Sequence, residues 1–181
     1  MGDCIKEYCV GCGLCSSIEG QQLKEDTRGF LYPENTRSSF FKKICPASGI
    51  HTQYMDKNNI WGTNKNVYIG WSNNKMLRTK ASSGGVLTEL AAYALENNYV
   101  DVVMHTEIDS RSPTKTVTTF SHSREELEKK CGSRYSISHP LDKIGQLDKS
   151  KRYLFIGKPC DVIALRNYIS LNNDMSQVIP Y

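Results

Sequence analysis

No apolar run in these 181 residues approaches the roughly 20 that a membrane-spanning helix needs. A helical membrane protein is therefore excluded, while 39% hydrophobic and 23% charged residues at a mean hydropathy of -0.48 leave enough apolar material for a core. The length suits one ordinary domain, or a small domain joined to part of a larger one. The opening residues, MGDCIKEYCVGC, lack the apolar core and small-residue cleavage site of a secretory signal, so the expected location is the cytoplasm. An excess of one charge sign is missing too. The 23 Lys and Arg against 19 Asp and Glu leave +4, and the basic residues scatter as Lys42-Lys43, Lys129-Lys130 and Lys149 to Arg152. Neither nucleic acid nor a membrane is expected as a partner. There is no internal repeat and no low-complexity tract.

Cysteine, by contrast, is plentiful. Seven of them, an odd count behind no export signal, argue for metal or redox chemistry rather than a disulfide framework. Cys9, Cys12 and Cys15 follow one another at three-residue intervals in Cys9-Val10-Gly11-Cys12-Gly13-Leu14-Cys15, and Cys45 stands directly before Pro46. A cubane iron-sulfur cluster needs four converging thiolates, and a loop with two residues between ligands can wrap three corners while its N–H groups face the sulfur atoms. In the bacterial ferredoxin run a further local cysteine serves a second cluster. Here position 19 is Glu19 and no second triplet exists, so Cys9, Cys12, Cys15 and the remote Cys45 are expected to ligate one [4Fe-4S] cluster. Gly11 and Gly13 alternate with the ligands, as suits a backbone that approaches the cluster closely and adopts positive φ. The alternative is a structural zinc site, although zinc modules usually present separated C-x2-C pairs. Cys4 reads as a tail thiol; it could replace Cys45, but at a spacing that matches neither the triplet nor a Cys-Pro ligand.

Residues 1–62 are read as a small ferredoxin-like iron-sulfur segment, in which metal supplies much of the folding free energy. The Asn- and Lys-rich stretch 56–66 reads as a linker. An α/β domain is expected over 63–149 and the start of a second over 150–181, because strand and helix patterns then alternate. Val67 to Trp71 reads as a β-rich run, and Tyr99 to Met104, Thr116 to Phe120 and Tyr153 to Gly157 as strands. Val86, Leu87, Leu90, Ala91, Ala94 and Leu95 recur at helical spacing and predict an amphipathic helix about 18 Å long up to Asn97-Asn98. Ser123 with Glu126 predicts a capping box for a helix from Arg124 to Lys130, stopped by Cys131-Gly132-Ser133, and Asp161 an N-cap for a helix to about Leu171.

Three segments are candidates for ligand binding. Ser82-Ser83-Gly84-Gly85 opens the helix at 86 and offers hydroxyls and free N–H groups to an anion, or is only a cap. Gly132-Ser133-Arg134-Tyr135 offers a hydroxyl, a guanidinium and a ring, or is only a glycine C-cap. Cys160 follows Pro159 where a strand's carboxyl end meets a helix, and is either a low-pKa thiol at a ligand site or a small buried hydrophobe. His51, His105, His122 and His139 sit in unrelated segments and read as surface or satisfied histidines.

Taken in order, Cys9-Cys12-Cys15 with Cys45-Pro46, Ala81-Ser82-Ser83-Gly84-Gly85-Val86-Leu87-Thr88, Cys131-Gly132-Ser133-Arg134-Tyr135 and Lys158-Pro159-Cys160-Asp161 resemble the coenzyme F420 hydrogenase/dehydrogenase beta subunit family. The resemblance implies an iron-sulfur flavoprotein oxidoreductase, with FAD between α/β layers, a [4Fe-4S] cluster within electron-transfer reach, and coenzyme F420 or another small-molecule hydride carrier at the flavin face. It implies that Ser82, Ser83, Gly84, Gly85, Gly132, Ser133, Arg134 and Tyr135 lie at the flavin nucleotide and that Pro159 and Cys160 lie near its ring end. A redox partner protein or larger oxidoreductase subunit would exchange the electrons. The family commonly carries Ala-Gly-Ser-Lys-Tyr where this chain has Cys131 and Arg134, and Gln where it has Asp161, whose charge would repel a neighbouring phosphate. Members are longer, so the chain is expected to be truncated at its C-terminus, with the rest of the pocket missing or supplied by another chain. Two rivals remain: a non-enzymatic electron-transfer module, and a zinc-stabilised interaction domain.

Overall fold

The computed structural model describes residues 7–34, 38–49 and 66–181. Cys4, His51 and nearly all of the expected linker lie outside them. A three-stranded sheet of order β4-β3-β5 forms the centre. β3 (Val102–Asp109) and β4 (Ser112–Ser121) are an antiparallel pair with Val103 opposite Ser121, and β5 (Tyr153–Phe155) runs parallel to β3. The first four residues of β3 are all buried, which explains why they read as a continuous apolar run rather than an alternating one.

Two short elements carry the cysteines. Helix α1 (Leu14–Glu19) begins inside the triplet and carries Cys15, the hairpin of β1 (Leu23–Glu25) and β2 (Leu31–Pro33) comes next, and α2 (Ser39–Ile44) ends at Cys45. Leu14 and Ile44, 2% and 1% exposed, pack in one core with Met104, Phe155, Leu165 and Ile179. Burial against the sheet therefore holds this segment, and metal is not its only source of stability.

From residue 66 onward come α3 (Lys75–Lys80), a 3-10 turn at Ser82–Gly85, and α4 (Val86–Glu96), followed after β4 by α5 (Arg124–Lys130). The expected helix at 86 is present, but it packs through its alanines. Ala91 and Ala92 meet Val103 and Leu127, whereas Leu87 and Leu90 stay mostly exposed, because small residues let the helix lie close to the strand. α6 (Pro159–Leu171) and α7 (Met175–Val178) complete the chain. β5 shares its sheet with β3 and β4, and α6 and α7 pack into the same core as Met104.

Three local expectations are corrected. Val67, Tyr68 and Ile69 form no strand and are 82%, 84% and 92% exposed, since β propensity has no effect without a neighbouring edge to pair with. In α5, Ser123 Oγ accepts the Glu126 N–H at 3.3 Å, but the Glu126 carboxylate takes the His122 N–H instead, so only half of the box forms. Asp161 is the third helical residue rather than the N-cap, and accepts the N–H of the N-cap, Lys158, at 3.0 Å.

Candidate functional site

Left-handed glycines shape the triplet loop. Gly11 and Gly13 have φ of 67° and 83°, a conformation that costs other residues steric strain. Cys45 is the C-cap of α2, where Ser38 Oγ accepts the Phe41 N–H and the fully buried Phe41 and Ile44 turn the end of the helix towards the triplet. Cys9, Cys12, Cys15 and Cys45 consequently line one small pocket, of about 20 Å³. Its other walls are glycine, proline and apolar side chains, with no charged residue among them.

Each sulfur also meets backbone donors: the N–H of Gly11 at Cys9, of Leu14 at Cys12, of Ser16 at Cys15, and of Ala47 and Ser48 at Cys45. Burial is nevertheless the largest influence. It pushes Cys12 and Cys15 up to about 12 and raises Cys9 and Cys45, with neighbouring sulfurs adding to the rise at Cys12, Cys15 and Cys45. Four thiols crowded into a dry pocket keep their protons unless a cation replaces them, which is the behaviour of a ligand set whose ionisation is coupled to metal binding. Among the described residues no group of three or more His, Cys, Asp or Glu is placed so as to hold a metal ion. A tetrahedral zinc would draw thiolates to within about 3.8 Å of one another, as zinc–sulfur bonds of about 2.3 Å require. Four thiols with N–H donors at every sulfur and walls without charge make an all-thiolate donor set, the kind that structural zinc and iron-sulfur centres both use.

A second cavity, of about 290 Å³, joins two of the segments singled out by sequence. The Ser133 N–H donates to Ser82 Oγ at 2.8 Å across 51 residues, and Ser82, Gly132, Ser133 and Arg134 line the cavity with Lys130 and Lys158. Its hydroxyls and cations suit an anionic ligand. Ser83, Gly84 and Gly85 do not line it. They form a run of positive φ (52°, 66° and 77°), and a Cβ on Gly84 would come within 3.0 Å of Trp71, so this turn serves close packing against residues 71–77. Tyr135, 98% exposed, borders the neighbouring trough, and Pro159 and Cys160 start α6 without lining the cavity.

Arg134 turns back on the end of α5, donating to Lys130 O at 3.0 Å and Gly132 O at 3.2 Å, while its Nε is buried without a partner. Asp161 is fully buried, and one of its oxygens takes the Lys158 Nζ at 2.9 Å. That ion pair offsets the repulsion expected between Asp161 and a phosphate. A trough of about 570 Å³ runs from Cys9 and Gly11 to Tyr135 and shares Arg134, Ser136, Ser138 and Lys158 with the cavity. Thiol pocket, trough and cavity therefore adjoin one another.

Sequence reasoning passed over two histidines. His139 Nδ1 lies 2.8 Å from Gly11 O, a contact across 128 residues that no local pattern announces. His105 lines the cavity with its Nε2 2.8 Å from Ser121 Oγ, and burial, aided by the charge of Lys130, lowers its pKa from 6.5 to about 4. Between those values the unfolded chain binds a proton that the folded chain does not, so this contribution to stability is present above pH 6.5 and lost as the pH falls towards 4. The loss is on the order of 3 kcal/mol. Urea denaturation at neutral and acid pH should show His105→Gln losing less stability on acidification than the unchanged chain.

Residues 67–144 match the family described as coenzyme F420 hydrogenase/dehydrogenase, beta subunit N-term. It is the family that the four motifs resemble, although the cysteine and Pro159-Cys160 motifs fall outside the matched stretch. Among solved structures, the chain is similar to one of the xenon-derivatised F420-reducing [NiFe] hydrogenase complex from Methanosarcina barkeri, at 26% identity and a TM-score of 0.52. The similarity covers 60% of this chain and 38% of that one. No curated protein matches. Among the described residues no helix is long and apolar enough to cross a membrane.

Proposed function

We propose, from its membership of the coenzyme F420 hydrogenase/dehydrogenase beta subunit family, that this chain is an electron-transferring part of an oxidoreductase. Cys9, Cys12, Cys15 and Cys45 hold a [4Fe-4S] cluster, and Ser82, Gly132, Ser133, Arg134 and Lys158 hold the anionic part of a flavin nucleotide, FAD by resemblance. A flavin supplies conversion between the electron pair of a hydride and single electrons, which is the only form a cluster exchanges. The hydride carrier is F420 or a related small molecule, and the electrons pass to or from a larger oxidoreductase. The protein's own part is positional: it dries the thiol pocket, directs N–H groups at the sulfurs and neutralises anionic charge beside Asp161. The observation that carries this reading is the shared wall of Arg134, Ser136, Ser138 and Lys158, which lets one bound molecule reach from the cationic cavity to the Cys9 edge.

Titration of the anaerobically purified chain with FAD, followed by flavin fluorescence, is the test. Saturable quenching is expected, weakened about tenfold in Arg134→Gln, where a charge-assisted donor is lost. A second reading, a cluster-bearing module without flavin, is favoured by the small volume of the 290 Å³ cavity. Absence of quenching, with iron and sulfide present, would select it.

A further inference from the structure

We propose that residues 137–145 form a strap that positions the cysteine loop, with His139 as its principal positioning residue. The strap meets the loop at two points and the helix that continues it at a third. His139 Nδ1 lies 2.8 Å from Gly11 O, the Leu141 N–H donates to Cys12 O at 2.9 Å, and the Gly145 N–H donates to Ser17 Oγ at 2.8 Å. A carbonyl can only accept, so the first of these bonds places the ring proton on Nδ1. Asp142 closes the remaining space, because a Cβ on Gly13 would approach its backbone to 3.2 Å.

From behind, β4 holds the strap. Thr116 Oγ1 donates to Ile137 O at 2.8 Å, Thr118 Oγ1 lies 2.9 Å from His139 O and 2.5 Å from the Asp142 carboxylate, and Lys143 Nζ donates to Thr118 O at 2.8 Å. The strap's Ser138 also accepts from Lys158 Nζ at 2.9 Å, on the wall shared by the trough and the cavity.

The chemical consequence concerns carbonyls. In a loop that wraps sulfur ligands, an inward carbonyl would set its negative end against a thiolate, whereas an inward N–H stabilises it. By taking the carbonyls of Gly11 and Cys12, the strap turns them outward and points the N–H groups of the same peptide units, those of Cys12 and Gly13, the opposite way, while the flanking N–H groups of Gly11 and Leu14 meet the sulfurs of Cys9 and Cys12. The positioning stands on these contacts alone; its effect on a cluster rests on the function proposed above.

Amide hydrogen exchange of the full chain as purified tests it, read by mass spectrometry on the peptide spanning 9–17. In His139→Ala that peptide should exchange about fivefold faster, the weight of one ordinary hydrogen bond. In His139→Asn, whose amide nitrogen can occupy the place of Nδ1, the rate should return towards that of the unchanged chain, and the peptide spanning 124–130 should not change in either variant. The visible absorption of iron-loaded samples should shift in the Ala variant and recover in the Asn variant. Unchanged exchange in His139→Ala, or acceleration shared by 124–130 and not rescued by Asn, would overturn the proposal. Iron analysis of the unchanged chain separates the two ideas: an iron-free protein would remove the cluster reading and leave the exchange comparison in force.

Discussion

Replacing Cys12→Ala is expected to lower the iron content of the anaerobically purified chain by more than about tenfold, whereas Cys131→Ala leaves it unchanged. Cys12 is the ligand candidate for which neighbours matter most. Burial pushes its thiol up to about 12, the charges of Cys15, Asp161 and Cys45 add to that, and the Leu14 N–H opposes them. Without its sulfur, three thiols remain around a space shaped for four, and the apolar walls supply no substitute. Cys131 is a fair control because its sulfur donates to Glu128 O at 3.2 Å, at the end of α5, and it lines the cavity rather than the thiol pocket. Full iron retention in Cys12→Ala would show that the ligand assignment is wrong.

The second large effect is steric. Gly145→Ala should destabilise the chain by about 3 kcal/mol, the upper end for an overpacked site. A Cβ at this position would stand 2.4 Å from Ser17 O, a backbone atom of α1 that cannot swing aside. Relief requires α1 to withdraw from the strap, which also breaks the bond from the Gly145 N–H to Ser17 Oγ. Since α1 itself carries Cys15, iron content should fall together with stability. Gly70→Ala, where a Cβ meets nothing within 4 Å, is the control and should change neither. Equal urea midpoints for Gly145→Ala and the unchanged chain would mean that α1 and the strap are not packed as described.

What could be read from the sequence was whatever local spacing encodes. Three cysteines at three-residue intervals must share a loop, and Gly11 and Gly13 between them do take the left-handed conformation. Cys45-Pro46 was the one remote signal, and the structure brings Cys45 into the pocket of the other three. The strands read at Tyr99 to Met104 and Thr116 to Phe120 overlap β3 and β4 because β-branched residues make up half of each, and the helix at 86 was legible because its period is helical. Three features were not legible, for different reasons. His139 acts through a contact 128 residues away, which no window can contain. The exposed run at Val67 has the composition of a strand but no edge to join, and composition cannot report the missing partner. Asp161 suggested a repelling charge, and only folding shows Lys158 closing on it at 2.9 Å. At the Ser83-Gly84-Gly85 turn the sequence could not report the close packing of Gly84 on Trp71 and of Gly85 on Leu77.

Quantifying iron, acid-labile sulfide and zinc in the same anaerobically purified sample puts the central idea at greatest risk. The account predicts about four iron and four sulfide per chain, with a brown visible absorption and only trace zinc. A colourless protein containing about one zinc and no sulfide would contradict it, because Cys9, Cys12, Cys15 and Cys45 would then be a structural site with no electrons to carry.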